Sequence, residues 1–158
     1  MLDEIDLDWT YHPPTRRSGR AGVEDRLEAL RQDLFKAALA SIRPRRIIRV
    51  STYVLAGPGS DAEATHHQLR QFATSSKWRP TSRFFTDHTD VSLLPAGTRP
   101  GFDQVCDHVG FRLLDGILTT SRQALPATTT VYEDYLRWLG RRQIFVAYAQ
   151  PTFTEGVL

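Results

Sequence analysis

Cysteine and lysine are the residues that this chain almost lacks. Its 158 residues include one cysteine, Cys106, so no disulfide can form within the chain, and we expect a cytoplasmic location. Cys106 falls on the apolar stripe of a predicted helix, where a thiol is typically a small packed hydrophobe rather than a nucleophile. The cations are 18 arginines and 2 lysines, and the formal net charge of only +2 gives no general case for nucleic-acid binding.

Long apolar runs and familiar site motifs are also missing. No stretch approaches the roughly 18 apolar residues of a membrane-spanning helix, and the acidic amino terminus is not typical of a signal peptide. We therefore expect no membrane association. Motifs for nucleotide phosphates, dinucleotides and zinc are absent, and the neighbouring pair His66-His67 would point to different sides of a helix. The sequence predicts neither a metal nor a cofactor.

Short β-branched runs alternate with amphipathic segments through most of the chain. This pattern predicts an α/β fold, namely a three-layer, mostly parallel four-stranded sheet with helices on both faces. The predicted strands are 46–52, 82–86, 116–119 and 144–148, and the helices between them are 61–77, 101–110 and 128–142.

The predicted domain organisation follows from composition. Residues 1–22 mix acids, arginines, prolines and glycines, and we expect a flexible tail there. Residues 23–44 form an extra helix with one apolar face, residues 45–150 form the α/β domain, and residues 151–158 form a second tail. The apolar face of the extra helix packs either on the domain or on a second chain, and both remain open at this point.

Residues suited to phosphate chemistry fall at predicted strand ends. Arg49 and Ser51 are two residues apart, so they share a face of the first strand, which we expect to end beside them. Asp87 ends the second strand, Arg99 precedes a helix and Arg122 follows the third strand. Ligands of open α/β sheets bind at such ends, and guanidinium groups there would stabilise a serine nucleophile and its transition state. Surface arginines at strand ends are also commonplace.

The order of several short motifs resembles the resolvase/invertase family of serine recombinases. Ile47-Ile48-Arg49-Val50-Ser51-Thr52 is similar to the family's Tyr-x-Arg-Val-Ser-Thr start, and Arg99-Pro100-Gly101-Phe102 is similar to its Arg-Pro-Gly-[Phe/Leu] motif. The other segments that resemble family motifs in the same order are 69–73, 77–78, 84–87, 115–118, 121–122 and 135–148. The resemblance covers about residues 46–149.

The resemblance implies DNA strand cleavage and rejoining, with DNA as the partner and no cofactor or metal. By it, Ser51 is the nucleophile that forms a phosphoserine link to DNA. Asp87 would organise the site, and the phosphate ligands would be Arg49, Arg99 and Arg122.

Several family positions differ in this chain. The motif tyrosine is Ile47, the helix glutamine falls near Thr65, the aspartate of the Asp-Arg-Leu-x-Arg motif is Ser121, and its second arginine is Leu125. The family's later dimerising helix and DNA-binding region have no counterpart in the sequence. We therefore expect a degenerate, truncated domain of this type.

Three functions follow as hypotheses. The first is a DNA strand-exchange domain that forms a covalent complex through Ser51. The second is a non-catalytic interaction or regulatory module that keeps the fold and forms a homo-oligomer, or binds a recombinase, through helix 23–42. The third is an unrelated phosphate-binding enzyme that depends on Arg49 or Arg122.

Overall fold

Four parallel strands form one sheet in the computed structural model, which describes residues 19–42, 47–89, 99–125 and 128–149. The spatial order is β2-β1-β3-β4, and every neighbouring pair is parallel. The strands are β1 (Arg49–Ala56), β2 (Arg79–His88), β3 (Gly116–Thr119) and β4 (Phe145–Tyr148). The predicted α/β fold with a parallel four-stranded sheet is confirmed.

Helices cover both faces of this sheet. They are α1 (Gly19–Ile42), α2 (Ala62–Ser75), α3 (Pro100–Gly110) and α4 (Thr129–Arg141), with a short 3₁₀ helix at Arg122–Ala124. Two of them begin where their capping residues predict. Asp61 accepts a hydrogen bond from the amide of Ala64 at 3.1 Å, and Pro100 occupies the first turn of α3, where no amide donor is required. None of the helices in the described ranges is long and apolar enough to cross a membrane.

The sheet separates two apolar cores. Because parallel strands covered on both faces carry nearly continuous apolar runs, successive residues of β1 enter opposite cores. The core beneath α3 and α4 contains Tyr53, Phe102, Ile117, Leu136 and Val146. The core beneath α2 contains Val50, Val54, Leu69, Leu118 and Phe145.

The first strand differs from the prediction in a way that changes the site. The sequence predicts a strand over 46–52 followed by a loop, whereas β1 spans Arg49–Ala56. The apolar run Tyr53-Val54-Leu55-Ala56 continues the strand, because its residues pair with β2 as far as His88. Only the Gly57-Pro58 break ends it. The carboxyl end of β1 is therefore Ala56, and Ser51 is its third residue.

The extra helix is longer than predicted and belongs to the same folded unit. Its first residue is Gly19, inside the segment predicted as a flexible tail, and it packs against α4 and β4. Leu27 is fully buried in the core beneath α3 and α4. Leu34 lies against Gly140 of α4, where a Cβ atom would come within 2.7 Å of its side chain. The apolar face considered for a second chain is therefore covered within this chain, and the expected partner contact through helix 23–42 is not available on that face.

The helix α1 also covers an edge of the sheet. β4 is the last strand in the spatial order, so within the described part of the chain no strand pairs with its outer hydrogen-bonding groups. Arg31 donates from Nη1 to the carbonyl oxygen of Val146 at 2.7 Å, and its guanidinium lies 4.5 Å from the ring centre of Tyr148. A helical side chain thereby satisfies a carbonyl of the edge strand.

Candidate functional site

Ser51 is buried within the sheet. Its exposed fraction is 2%, and its Oγ lies 2.7 Å from Oγ1 of Thr81. Thr81 belongs to an irregular part of β2, where pairing with β1 moves from Val50–Pro80 to Thr52–Phe84. Thr81 donates to the carbonyl of Arg83 at 3.0 Å, so Ser51 is the donor in the serine–threonine hydrogen bond. The hydroxyl of Ser51 joins β1 to this irregular segment.

Arg49 lies at the amino end of the sheet. Its backbone amide donates to Oδ2 of Asp115 at 2.8 Å, and its Nε donates to the same oxygen at 3.3 Å. Asp115 immediately precedes β3 and is 4% exposed. The expectation that Arg49 and Ser51 stand at the carboxyl end of the first strand is wrong, because four further strand residues follow Thr52.

Asp87 lies at the opposite end of the sheet, where it holds the start of α3. Its two carboxylate oxygens accept hydrogen bonds from the amide of Gly101 at 2.7 Å, the amide of Phe102 at 2.9 Å and the phenol of Tyr53 at 2.9 Å. The side chain is 2% exposed. A carboxylate at a helix amino terminus satisfies amides that have no partner within the helix and complements the helix dipole. Asp87 thus fixes α3 on β2.

Gly101 explains part of the Arg-Pro-Gly-Phe motif in physical terms. A Cβ atom at this position would lie 2.6 Å from the carbonyl oxygen of Thr86. Only a glycine lets the first turn of α3 approach the backbone of β2 this closely. Phe102 then enters the core, where its ring meets that of Tyr53 edge-on with the ring centres 5.3 Å apart.

Arg99 binds backbone carbonyls. Its guanidinium donates to the carbonyl of Ala124 at 2.7 Å and to that of Leu125 at 3.2 Å, and it lies 3.4 Å from the phenol oxygen of Tyr53. These bonds tie the start of α3 to the 3₁₀ helix. Burial, and then the hydrogen bond to Asp87, raise the pKa of the Tyr53 phenol well above its usual value. Tyr53 therefore remains a neutral hydrogen-bond donor.

Arg122 lies over an aromatic ring. Its guanidinium carbon is 3.9 Å from the ring centre of Tyr132, and its Nε donates to Glu24 of α1 at 3.2 Å. The phenol of Tyr132 lies 2.6 Å from that of Tyr148. Arg122 thereby connects the 3₁₀ helix with α1 and α4.

The structure brings together two of the five candidate residues. Asp87 and Arg99 both contact the phenol of Tyr53, whereas Ser51 contacts Thr81 and Arg49 contacts Asp115. Tyr53 was missed because the family tyrosine was matched to Ile47. The available signal was an aromatic residue continuing the apolar run after Ser51.

His66, like Tyr53, links elements of the fold in a way that the sequence did not predict. Its Nδ1 lies 2.7 Å from Oγ1 of Thr52, and its Nε2 lies 2.8 Å from Oγ1 of Thr86. Burial, followed by the charge of Arg70, lowers the pKa of His66 to about 4. The neutral ring links α2 to β1 and β2. In the described ranges, no three His, Cys, Asp or Glu side chains lie close enough to hold a metal ion.

No protein-family model and no curated protein matches the chain. The fold and the site geometry define an α/β protein with a parallel four-stranded sheet in the order β2-β1-β3-β4. The similarity to serine recombinases stays a prediction from the order of the motifs.

Proposed function

We propose that this chain is a non-catalytic interaction or regulatory module that keeps a fold of the serine-recombinase type. The environment of Ser51 carries the proposal. A nucleophile must reach a phosphodiester, but this hydroxyl is 2% exposed and hydrogen-bonded to Thr81. An attack on DNA from this position would require the hydroxyl to leave its hydrogen bond with Thr81 and to become exposed.

The distance along the sheet also favours a non-catalytic role. Asp87 pairs in register with Leu55, four residues beyond Ser51 on the same strand. At about 3.3 Å per residue, Ser51 and Asp87 are separated by about 13 Å along the strands. Groups that share one reacting phosphate need to approach it to about 3 Å. Ser51 and Asp87 would not act on one phosphate in this conformation.

The candidate arginines have protein partners. Arg49 pairs with Asp115, Arg99 donates to two carbonyls, and Arg122 pairs with Glu24. Guanidinium groups promote phosphoryl transfer when they are aimed at the transferring group. Here the hydrogen bonds of these three arginines contribute to the fold, which supports a structural role and also weakens the hypothesis of a phosphate-binding enzyme.

A covalent-capture assay tests this proposal. The purified chain is incubated with supercoiled and nicked DNA in a glycerol-rich buffer and run on a denaturing gel. Ser51→Ala removes the candidate nucleophile, and Ser82→Ala is the matched control, because Ser82 is exposed on β2. We expect no protein–DNA adduct from any of the three proteins. An adduct that forms with the unmodified chain and Ser82→Ala but disappears with Ser51→Ala would establish the recombinase chemistry instead.

A further inference from the structure

A groove of about 530 Å³ lies between α3 and α4, on the outer side of these helices. Its apolar part consists of Val131, Tyr135 and Trp138, all on one side of α4. Val131 is 43% exposed, while the ring of Tyr135 is held edge-on by Phe102 with the ring centres 4.8 Å apart. The volume lies within the usual range of ligand pockets. It accommodates a few side chains of a partner.

Carboxylates surround this apolar part. Asp103 and Asp107 line the groove from α3, and Asp134 lines it from α4. All three are exposed, and the salt bridges between described residues include none of them. Asp103 and Asp107 are four residues apart on one helix, a spacing at which like charges repel. Among the described residues that line the groove, Arg141 is the one cation beside these three carboxylates.

The negative charge of the groove also acts on Cys106, one of the residues that line it. Cys106 lies between the two aspartates of α3 and is partly buried. Burial raises the pKa of its thiol to about 11, and the charges of Asp103 and Asp107 contribute in the same direction. Cys106 thus remains a neutral thiol. It packs against the core, as a small hydrophobe does, but it is only partly buried and also lines this surface.

We propose that the α3–α4 groove is the docking site for a basic peptide segment of a partner protein. Arginine or lysine side chains of the segment pair with Asp103, Asp107 and Asp134, and an apolar side chain packs on the surface formed by Val131, Tyr135 and Trp138. This inference rests on the proposed interaction function and gives the chemistry of the partner.

The negative charge of the groove favours a basic peptide over two other occupants, namely a second copy of the chain and DNA. If two copies of the chain met groove to groove, three carboxylates would face three carboxylates, and like charges in contact oppose association. DNA is excluded from this face by the same sign of charge. A basic segment relieves the repulsion between Asp103 and Asp107 when it binds.

An unbiased selection tests the proposal. A phage-displayed library of random dodecapeptides is panned against the full chain at low salt, and enriched peptides are labelled with fluorescein and titrated by anisotropy. We expect enriched peptides with several arginines or lysines beside an aromatic or aliphatic residue. Added salt should weaken their binding, because the carboxylates are exposed and screened.

Matched variants assign the binding to the groove. The double variant Asp107→Asn/Asp134→Asn should weaken the binding of the selected peptides about tenfold or more. The control Asp25→Asn/Asp33→Asn makes the same charge change at exposed positions of α1 and should leave the affinity unchanged. Val131→Ala should weaken binding severalfold, and Leu113→Ala should not, although both side chains are similarly exposed, at 43% and 47%. Circular dichroism confirms that each variant is folded.

The inference is overturned if no peptide is enriched, if the enriched peptides are acidic or neutral, or if both double variants bind equally well. Failure of the peptide experiment leaves the proposed non-catalytic function intact, because that function is tested separately by the DNA adduct assay. A Ser51-dependent DNA adduct would remove the proposed function even if peptides bind in the groove.

Discussion

The phenol of Tyr53 donates a hydrogen bond to Asp87 across 2.9 Å and so joins the carboxyl halves of β1 and β2. The same carboxylate accepts both amides at the start of α3. Asp87 is the acid that, by the family resemblance, would organise the site. With three donors on two oxygens and 2% exposure, it is a structural centre of the fold.

Replacing Asp87 tests this structural role. Asp87→Asn keeps the shape but turns an NH₂ group toward one of the amide or phenol donors. Because hydrogen bonds to a buried charged group are lost and a donor is left unsatisfied, we expect the free energy of unfolding to fall by about 2–3 kcal/mol. Urea unfolding measures this change in the free energy of unfolding. Asp33→Asn, an exposed change in the middle of α1, should stay within about 0.5 kcal/mol. Equal effects of the two variants would refute the anchoring role.

Two glycines of α3 give opposite predictions. Gly101→Ala places a Cβ atom 2.6 Å from the carbonyl oxygen of Thr86, and relief requires a backbone shift costing about 1–3 kcal/mol. Gly110→Ala meets no atom within 4 Å and should be neutral or stabilise the protein by up to about 1 kcal/mol. Thermal unfolding compares them, and a Gly101→Ala protein as stable as the original would contradict the close approach of α3 to β2.

His66 predicts a pH dependence of stability. Its pKa is about 4 in the folded chain and about 6.5 when unfolded. Between these values the unfolded chain holds a proton that the folded chain does not, so lowering the pH favours unfolding. The contribution is complete above pH 6.5 and is lost progressively toward pH 4, by roughly 3 kcal/mol.

A comparison of two adjacent histidines isolates this effect. The free energy of unfolding is measured in urea from pH 7 to pH 5, above the range in which ordinary carboxylates take up protons. His66→Gln should reduce the slope in this range. His67→Gln, on the exposed side of α2, should retain it. Identical slopes for the two variants would contradict the buried, neutral state of His66.

The position of α1 predicts stability that does not depend on protein concentration. Leu27→Ala removes a fully buried side chain and should lower the free energy of unfolding by about 2–5 kcal/mol. Because its contacts lie within one chain, the unfolding midpoint should be the same at low and high protein concentration. Lys36→Ala, on the exposed side of α1, is the control. A midpoint that rises with concentration would instead indicate packing between chains.

The sequence predicted the fold well, because helix capping and the alternation of helical and β-branched segments depend on residues that are close together in the chain. Alternating helical and β-branched segments predicted the parallel sheet, and the capping residue Asp61 and the early proline Pro100 fixed the starts of two helices. Segment ends were less accurate at β1, because the predicted strand stopped at Thr52 although the apolar run continues to Ala56.

The site could not be predicted in the same way because its contacts join distant parts of the chain. Nothing local to Ser51 indicates that Thr81 will cover its hydroxyl. Similarly, the pairing of Arg49 with Asp115 depends on the strand register. The sequence identified phosphate-binding residue types, but which of them converge is decided by long-range packing.

The most direct test of the non-catalytic account is the DNA adduct assay with the unmodified chain, Ser51→Ala and Ser82→Ala run side by side. The account predicts no band of protein covalently joined to DNA in any lane, with all three proteins folded by circular dichroism. A covalent adduct present with the unmodified chain and Ser82→Ala, and absent with Ser51→Ala, would show that Ser51 leaves its hydrogen bond with Thr81 and attacks DNA, which contradicts the account.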